Sequence, residues 1–327
     1  MNQYETAIES AINGVRVHFW KMTTGISRTH EFERKGLATH SINIGLKCGH
    51  GCLYCSTGTI LRMHKAFRLC GEDPFGLGYA ILDPQTHERV ARDAKCLRER
   101  GLVQLCTVTD PYAPEAQESE VGSKCLQAVL SETGWTVRIL TKNAAVKNDF
   151  SLIKQYRKRV LVGISITATP NRSDVIEIVE PNASGIKERM SAMRLASAMG
   201  LRTYAMFCPL LPGIADSPDQ IDQLVQFALE CNVEEIFVEP VNARGSGLRL
   251  CQQALDLWGY DAEAKSVRDI RQRHGWSCYV VELAKNVQKS VRRHSCIGKL
   301  RFLLYPKRLT AEALVEIAKD DEGVICL

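Results

Sequence analysis

The 327-residue sequence predicts an α/β fold with a parallel sheet, arranged as a partial (βα)6 barrel. Strand-like and helix-like runs alternate from about residue 41 onward, and this alternation is typical of parallel strands joined by crossover helices. Six such units are fewer than the eight of a closed barrel. We expect the active site at the carboxyl ends of the strands, where the loops gather.

Six runs rich in apolar and β-branched residues are the strand candidates. In chain order they are Ser41–Leu46, Leu102–Val108, Thr136–Leu140, Val160–Ile166, Leu201–Phe207 and Glu235–Val238. Each is short and is separated from the next by a segment long enough to hold a helix. These runs therefore predict six neighbouring parallel strands.

Helical periodicity marks the segments between the strands. Apolar residues from Ile221 to Leu229 follow the spacing i, i+3, i+4, i+7 and i+8, after an acidic first turn at Asp219. A second apolar face runs from Ile186 to Met193, and Gly200 is the residue expected just beyond the end of that helix. Both faces are predicted to pack on the sheet.

The pattern divides the chain into three regions. Residues 1–40 are predicted to be an N-terminal extension, residues 41–245 the barrel, and residues 246–327 a C-terminal extension. The last region contains a long helix candidate and a strand-like run, Cys278–Leu283.

Composition indicates an ordinary globular protein. Hydrophobic residues make up 45% and charged residues 24% of the chain, and the net charge is +5. The first residues lack the basic and apolar regions of a secretory leader, and no run of about 18 apolar residues occurs. The 13 cysteines are odd in number and scattered, which disfavours a disulfide framework. We expect a cytoplasmic protein without a membrane partner.

A basic patch lies in the C-terminal region. No acidic residue interrupts its cations, which are Lys285, Lys289, Arg292, Arg293, Lys299, Arg301, Lys307 and Arg308. With the interleaved Phe302–Tyr305 segment it is a candidate phosphate-binding surface with a stacking platform for nucleic acid. The alternative is a solvated helix face followed by a core strand. The acidic segment Asp320–Glu322 is placed to neutralise part of the charge.

The motif C-x3-C-x2-C follows the first predicted strand and comprises Cys48, Cys52 and Cys55. Three thiolates satisfy three irons of a [4Fe–4S] cluster and leave the fourth iron open for chemistry. The spacing therefore predicts an iron–sulfur site.

A structural zinc site is the alternative for these cysteines. Zinc usually takes paired C-x2-C elements and four ligands. The nearby candidates for a fourth ligand are His50, His64 and Cys70.

Four further segments follow the cysteine motif in a characteristic order. They are Thr109–Glu115 (T-D-P-Y-A-P-E), Leu140–Asn143, Ser165–Thr167 with Glu180–Ala183 and Arg189, and Pro209–Gly213. Together with the cysteines, they resemble the radical S-adenosylmethionine (SAM) superfamily, and within it the spore photoproduct lyase-like branch. The resemblance covers roughly residues 38–245.

The resemblance implies an enzyme with a [4Fe–4S] cluster and SAM as cofactors. In this superfamily the amino and carboxylate groups of SAM chelate the open iron, and an electron from the cluster cleaves SAM to a 5′-deoxyadenosyl radical. The radical abstracts hydrogen from a substrate that we expect to be nucleic acid or nucleotide-like, as in DNA repair. An electron donor such as a flavodoxin or ferredoxin is implied. The alternatives are radical modification of a small molecule or peptide, and a non-enzymatic, zinc-bearing nucleic-acid-binding protein.

Five residues are carried over by the resemblance as SAM-binding: Tyr54, Thr109, Asp110, Lys142 and Ser165. Lys142, at a strand end, is suited to the SAM carboxylate, and Thr109 and Asp110 to the amino group. Ser165 is suited to a SAM contact, and Tyr54 is the aromatic residue that borders the adenine. Asp-Pro is also a common way to open a turn, which is the alternative role of Asp110.

Cys106 is a candidate catalytic residue. It lies near the place where spore photoproduct lyases hold a cysteine that returns a hydrogen atom to the substrate radical. The register differs by about one residue, and in a strand such a shift turns a side chain to the opposite face. A buried structural cysteine is the alternative. The sequence also differs from relatives at Lys147–Asp149, where they often carry Arg-Asp. The resemblance therefore does not extend to fine substrate specificity.

Overall fold

The computed structural model describes residues 8–12 and 14–327, so part of the predicted N-terminal extension lies outside the described residues. The strands are β1 (Ile8–Ile12), β2 (Val15–Phe19), β3 (Ser27–Arg28), β4 (His40–Ile42), β5 (Gly45–Lys47), β6 (Tyr79–Leu82), β7 (Leu102–Leu105), β8 (Thr136–Thr141), β9 (Val160–Ser165), β10 (Arg202–Leu210), β11 (Ile236–Pro240), β12 (Leu300–Leu304) and β13 (Val324–Cys326). The α-helices are α1 (His30–Arg34), α2 (Thr57–Leu61), α3 (Lys65–Cys70), α4 (Thr86–Cys96), α5 (Pro114–Ser119), α6 (Val121–Leu130), α7 (Phe150–Gln155), α8 (Ser173–Val179), α9 (Ile186–Ala198), α10 (Pro218–Glu230), α11 (Gly247–Leu257), α12 (Asp261–Asp269), α13 (Arg273–Arg293) and α14 (Ala311–Ala318).

The larger sheet confirms the predicted α/β class. Its strand order is β13-β12-β11-β10-β9-β8-β7-β4-β3, and every neighbouring pair from β4 to β13 is parallel. The predicted strands are thus neighbours in chain order. The sheet has free edges at β3 and β13 among the described residues, so it is open, and β12 and β13 extend it beyond the predicted six strands.

The first predicted strand is divided between two sheets. Its beginning forms β4 in the larger sheet, while its end forms β5 in a four-stranded sheet of order β1-β2-β6-β5. Asn43 lies at the break, where its Oδ1 accepts hydrogen bonds from the backbone N–H groups of Thr107 (2.8 Å) and Val108 (3.2 Å). A Cβ at Gly45 would lie 2.1 Å from the Ile81 carbonyl oxygen, so the close approach of β5 to β6 requires glycine there. The cysteine motif therefore starts from the smaller sheet and faces the end of the larger one.

The predicted helices at Ile186–Met193 and Ile221–Leu229 are confirmed as α9 and α10. Gly200 follows α9 with a φ of +71°, the left-handed conformation expected beyond a helix end.

The prediction of a strand at Cys278–Leu283 was wrong, because this run lies within α13. The buried residues of α13 recur at helical spacing, as Trp276, Val280 and Val287 show. A short apolar run does not by itself distinguish a strand from a buried helix.

The core lies between the larger sheet and the helices that cover it. All six residues of β9 are buried, as expected for a central parallel strand covered on both faces. Among the described residues, no helix combines the length and apolarity needed to cross a membrane.

Candidate active site

A cavity of about 340 Å³ lies at the carboxyl ends of the parallel strands, where the fold predicts an active site. It is lined by every site residue predicted from the sequence: Cys48, Cys52, Tyr54, Cys55, Cys106, Thr109, Asp110, Lys142 and Ser165. The fold therefore brings together side chains from four separate strand ends.

The cysteine loop, residues 48–55, is held by polar contacts from distant segments. The Gly49 N–H donates to Glu115 Oε1 (2.9 Å), and Asn182 Nδ2 donates to the Gly49 carbonyl (2.9 Å). The Asn182 N–H also donates to the His50 carbonyl (3.1 Å). A Cβ at Gly49 would lie 2.6 Å from Glu115 Oε2, so this contact requires glycine. The loop is fixed by its backbone, which leaves the cysteine side chains for the cavity.

The three thiols border one cavity without forming a site for a single metal ion. Among the described residues there is no group of three or more His, Cys, Asp or Glu side chains placed to hold one ion. A zinc site would require such a group, and the His64 side chain caps α3 instead. His50, the second candidate for a fourth ligand, lines the same cavity as the three cysteines. Burial, reinforced by the Glu180 carboxylate, raises the pKa of Cys52 to about 12.

Tyr54 is the aromatic residue of the motif, and its hydroxyl donates to a buried carboxylate. That carboxylate, Glu180, also accepts from Arg189, and the side chains of Glu180 and Arg189 are at most 1% exposed. Burial raises the pKa of Glu180, but the charges of Arg189 and Lys142 outweigh burial and hold it below its usual value. The ring of Tyr54 is thereby fixed against the cavity, with Lys142 Nζ 5.7 Å from its centroid.

Lys142 is a cation in the wall of the cavity next to Tyr54. Its Nζ donates to Ser165 Oγ (2.6 Å) and to the Cys208 carbonyl (2.8 Å), and lies 3.8 Å from Glu180 Oε1. Ser165 Oγ donates to the same Cys208 carbonyl (2.7 Å). Lys142 and Ser165 thus form one polar unit at the ends of β8 and β9.

Asp110 binds protein groups through both carboxylate oxygens. Oδ1 accepts from Thr141 Oγ1 (2.7 Å) and from the Tyr112 N–H (2.9 Å), and Oδ2 accepts from the Lys142 N–H (2.8 Å). The Tyr112 contact is the turn geometry expected after Asp-Pro. Asp110 therefore ties the loop after β7 to the end of β8.

Thr109 also lines the cavity. Its Oγ1 is buried, and its side chain hydrogen-bonds with that of Cys106, which lowers the pKa of the Cys106 thiol against the effect of burial.

Cys106 follows β7 in the left-handed conformation, with a φ of +63°. Its N–H still donates to the Ile42 carbonyl (2.8 Å), so it continues the pairing of β7 with β4. Because of this backbone geometry, strand alternation does not determine which way its side chain points. Cys106 is buried, as the structural alternative expects, and it also lines the cavity. Burial raises the pKa of its thiol to about 12.

Sequence reasoning missed a polar cluster on another wall of the cavity. Glu239, at the end of β11, accepts from the Tyr305 hydroxyl and from Cys208 Sγ (3.2 Å), and lies 3.6 Å from Lys35 Nζ. These four residues come from distant segments with no common spacing. The sequence offered one sign of this cluster, because Cys208, Glu239 and Tyr305 lie at or just after the ends of β10, β11 and β12.

Half of the cations of the predicted basic patch are ion-paired. Lys285 pairs with Glu316, and Arg292 pairs with both Asp320 and Glu322. Arg293 pairs with Asp222, and Arg301 pairs with Glu235. The expected neutralisation by Asp320–Glu322 is confirmed at Arg292. Phe302, Leu303 and Leu304 are buried in β12, which matches the core-strand alternative and excludes them as a stacking platform.

Comparison with protein families gives a match to the radical SAM superfamily over residues 42–228. An uncharacterised protein of Acidianus two-tailed virus is 24% identical over 224 residues, which is 66% of this chain and 71% of that protein. An uncharacterised protein of Mycobacterium tuberculosis is 26% identical over 147 residues. The latter match spans 45% of this chain and 43% of the mycobacterial protein, so the chain matches less than half of that relative.

Solved structures of spore photoproduct lyase share the fold. One substituted form superposes with a TM-score of 0.56 at 15% identity, covering 86% of this chain and 79% of that chain. A second, with bound AdoMet and dinucleoside spore photoproduct, gives a TM-score of 0.53 at 16% identity, covering 73% and 66% of the two chains.

Proposed function

Because the chain belongs to the radical SAM superfamily, we propose that its cavity holds a [4Fe–4S] cluster on Cys48, Cys52 and Cys55, with SAM beside it. The protein is an enzyme with radical chemistry. In this proposal the six strands β4, β7, β8, β9, β10 and β11 correspond to the partial (βα)6 barrel of residues 41–245. Strands β12 and β13 are additions from the C-terminal extension.

The residues present fit both groups. Three cysteines on a loop held by its backbone offer three thiolates, the donor set that leaves one iron of a cluster open. Thr109 lines the same cavity, with its buried hydroxyl beside the Cys106 thiol. When bound, the cluster supplies the electron that cleaves SAM to a 5′-deoxyadenosyl radical, which abstracts hydrogen from the substrate.

In this proposal the side chains of the cavity orient SAM. Lys142 is positioned by Ser165 and the Cys208 carbonyl, so its charge is fixed where a carboxylate ligand can meet it. In this proposal Asp110 accepts from the amino group of SAM and also holds the backbone of Lys142 through Oδ2. Cys106 is retained as the proposed hydrogen donor because its thiol borders the cavity.

The proposed substrate is nucleic acid or nucleotide-like. The similar fold of a lyase captured with AdoMet and a dinucleoside supports this class by analogy. Radical modification of a small molecule or peptide is the alternative within the same enzyme class. The convergence of the three cysteines, Thr109, Lys142 and Ser165 on one cavity is the observation that carries the proposal.

Anaerobic reconstitution with iron and sulfide tests the cofactors. The wild-type protein should bind about four irons per cluster, show charge-transfer absorbance, and form 5′-deoxyadenosine from SAM under dithionite. Replacing Cys48, Cys52 and Cys55 by alanine should abolish all three signals. A matched triple replacement of the exposed Cys96, Cys278 and Cys326 should preserve them. Tight stoichiometric zinc without SAM cleavage in the wild type would refute the proposal.

A further inference from the structure

A second cavity, of about 690 Å³, opens beside the first and is lined mainly by cations. We call it the basic pocket, and its cationic side chains are Arg34, Arg244, Arg271, Arg273, Lys307 and Arg308. Among the described residues, Glu31 is the one side-chain carboxylate that lines it. Glu31, Asn242 and Tyr305 line both cavities, so the two adjoin.

The cations of the basic pocket form no close ion pairs. Within the part of the chain that the structure describes, none of the six forms an ion pair within 4.0 Å. Glu31 is already engaged, since its Oε1 lies 3.3 Å from Lys35 Nζ. The α13 part of the predicted basic patch differs, because Arg292 there binds both Asp320 and Glu322. The positive field of this surface is therefore concentrated at the basic pocket.

Arg308 shows that like charges are held together there. Its Nη1 donates to the Ala243 carbonyl (3.0 Å), while its Nε is buried without a hydrogen-bond partner among the described residues. Burial and the neighbouring charge of Arg244 both lower the pKa of Arg308. An anion bound in the pocket would relieve this repulsion and satisfy unpaired donors.

We propose that the basic pocket binds phosphates of a nucleic-acid strand whose neighbouring nucleotide enters the catalytic cavity. Guanidinium groups match phosphate geometry, and six cations exceed what a single phosphate requires. Asn242 and Tyr305 line both cavities, so a strand held in the basic pocket lies next to the catalytic cavity. A base that reaches an enclosed site must leave its stack, which favours a single-stranded segment. This inference rests on the proposed function and names its substrate class and binding site.

The side chains of Arg34, Arg244 and Lys307 are the best to remove, because they make no hydrogen bond or ion pair to the described residues. Binding of a labelled single-stranded oligodeoxynucleotide to the reconstituted protein would be measured by anisotropy across a salt series. Each phosphate contact contributes about 0.7 to the log–log salt slope of a single strand. The combined Arg34→Gln, Arg244→Gln and Lys307→Gln variant should therefore lower the slope by about 2 and weaken binding roughly a hundredfold near 0.1 M salt.

The matched control is Arg292→Gln with Arg293→Gln, which removes paired cations from α13 and should leave the slope unchanged. SAM cleavage without nucleic acid should be unchanged in both variants. A wild-type protein that cleaves SAM but binds no strand at low salt overturns this inference and leaves the proposed function standing. So does a slope altered in the control but unchanged in the triple variant, or a nucleoside monophosphate that binds as tightly as the strand.

Discussion

Lys142 is the residue at which the proposed SAM site is tested most simply. Its charge lies in a partly desolvated cavity, with its side chain 15% exposed and oriented by Ser165 and the Cys208 carbonyl. A charge-assisted contact to the SAM carboxylate is worth about 1.5–3 kcal/mol. Lys142→Met keeps the stem and removes the charge, so SAM affinity should fall roughly ten- to a hundredfold with iron content unchanged. Equilibrium binding of SAM to the reconstituted protein measures this.

Lys154→Met is the control for that experiment, because Lys154 is exposed on α7 away from the cavity. It should bind SAM as the wild type does. If Lys142→Met also binds SAM normally, the carboxylate is held by another group.

At the residue scale, spacing singled out the three cysteines and the family resemblance singled out Lys142 and Ser165, and the structure brings all five to one cavity. Glu239, Tyr305, Cys208 and Lys35 were missed because their contacts join segments that are far apart in the chain. Such contacts arise only from packing.

At the scale of elements, the segment after α8 stabilises the cysteine loop. Glu180 ties Tyr54 to Arg189 on α9, and two residues later Asn182 binds the backbone of the loop. Glu180→Gln leaves the Arg189 charge buried without its carboxylate, which typically costs about 3–5 kcal/mol. Denaturant unfolding should show this loss. Glu230→Gln, which breaks the exposed pair with Arg194, should change stability by less than about 1 kcal/mol.

The same carboxylate gives a pH dependence of defined sign. The native pKa of Glu180 is lowered by Arg189 and Lys142 against the effect of burial. Its stabilising contribution is therefore fully present above the unfolded carboxyl pKa of about 4.3, and is lost as pH falls through the lower native value. The stability difference between wild type and Glu180→Gln should shrink below that pH. A constant difference across the range would mean that Glu180 is not ionised in the native protein.

Periodicity predicted the parallel strands and the helices α9 and α10, because each buries a continuous apolar pattern. It did not predict that the first strand divides at Asn43, since that break depends on backbone donors of Thr107 and Val108. Periodicity assigned Cys278–Leu283 to a strand because a run of six residues is too short to distinguish the helical from the strand period.

At the scale of the whole molecule, two neighbouring cavities have different proposed roles, cofactor binding and phosphate binding. One holds the residues that fit a cluster and SAM, and the other is lined mainly by cations. The sequence identified Lys307 and Arg308 as part of a basic segment. It gave no sign that Arg34 and Arg244 join them, because only the folded sheet brings α1 and the loop after β11 to the same place.

Hydrogen transfer from a deuterated strand tests the central claim most directly. A uniformly deuterated single-stranded oligonucleotide would be incubated anaerobically with reconstituted enzyme, SAM and dithionite, and the 5′-deoxyadenosine analysed by mass spectrometry. We expect deuterium in the 5′-deoxyadenosine formed by the wild type, and much less with the Arg34→Gln, Arg244→Gln and Lys307→Gln variant. Formation of 5′-deoxyadenosine without deuterium, under conditions where the strand is bound, would contradict the account.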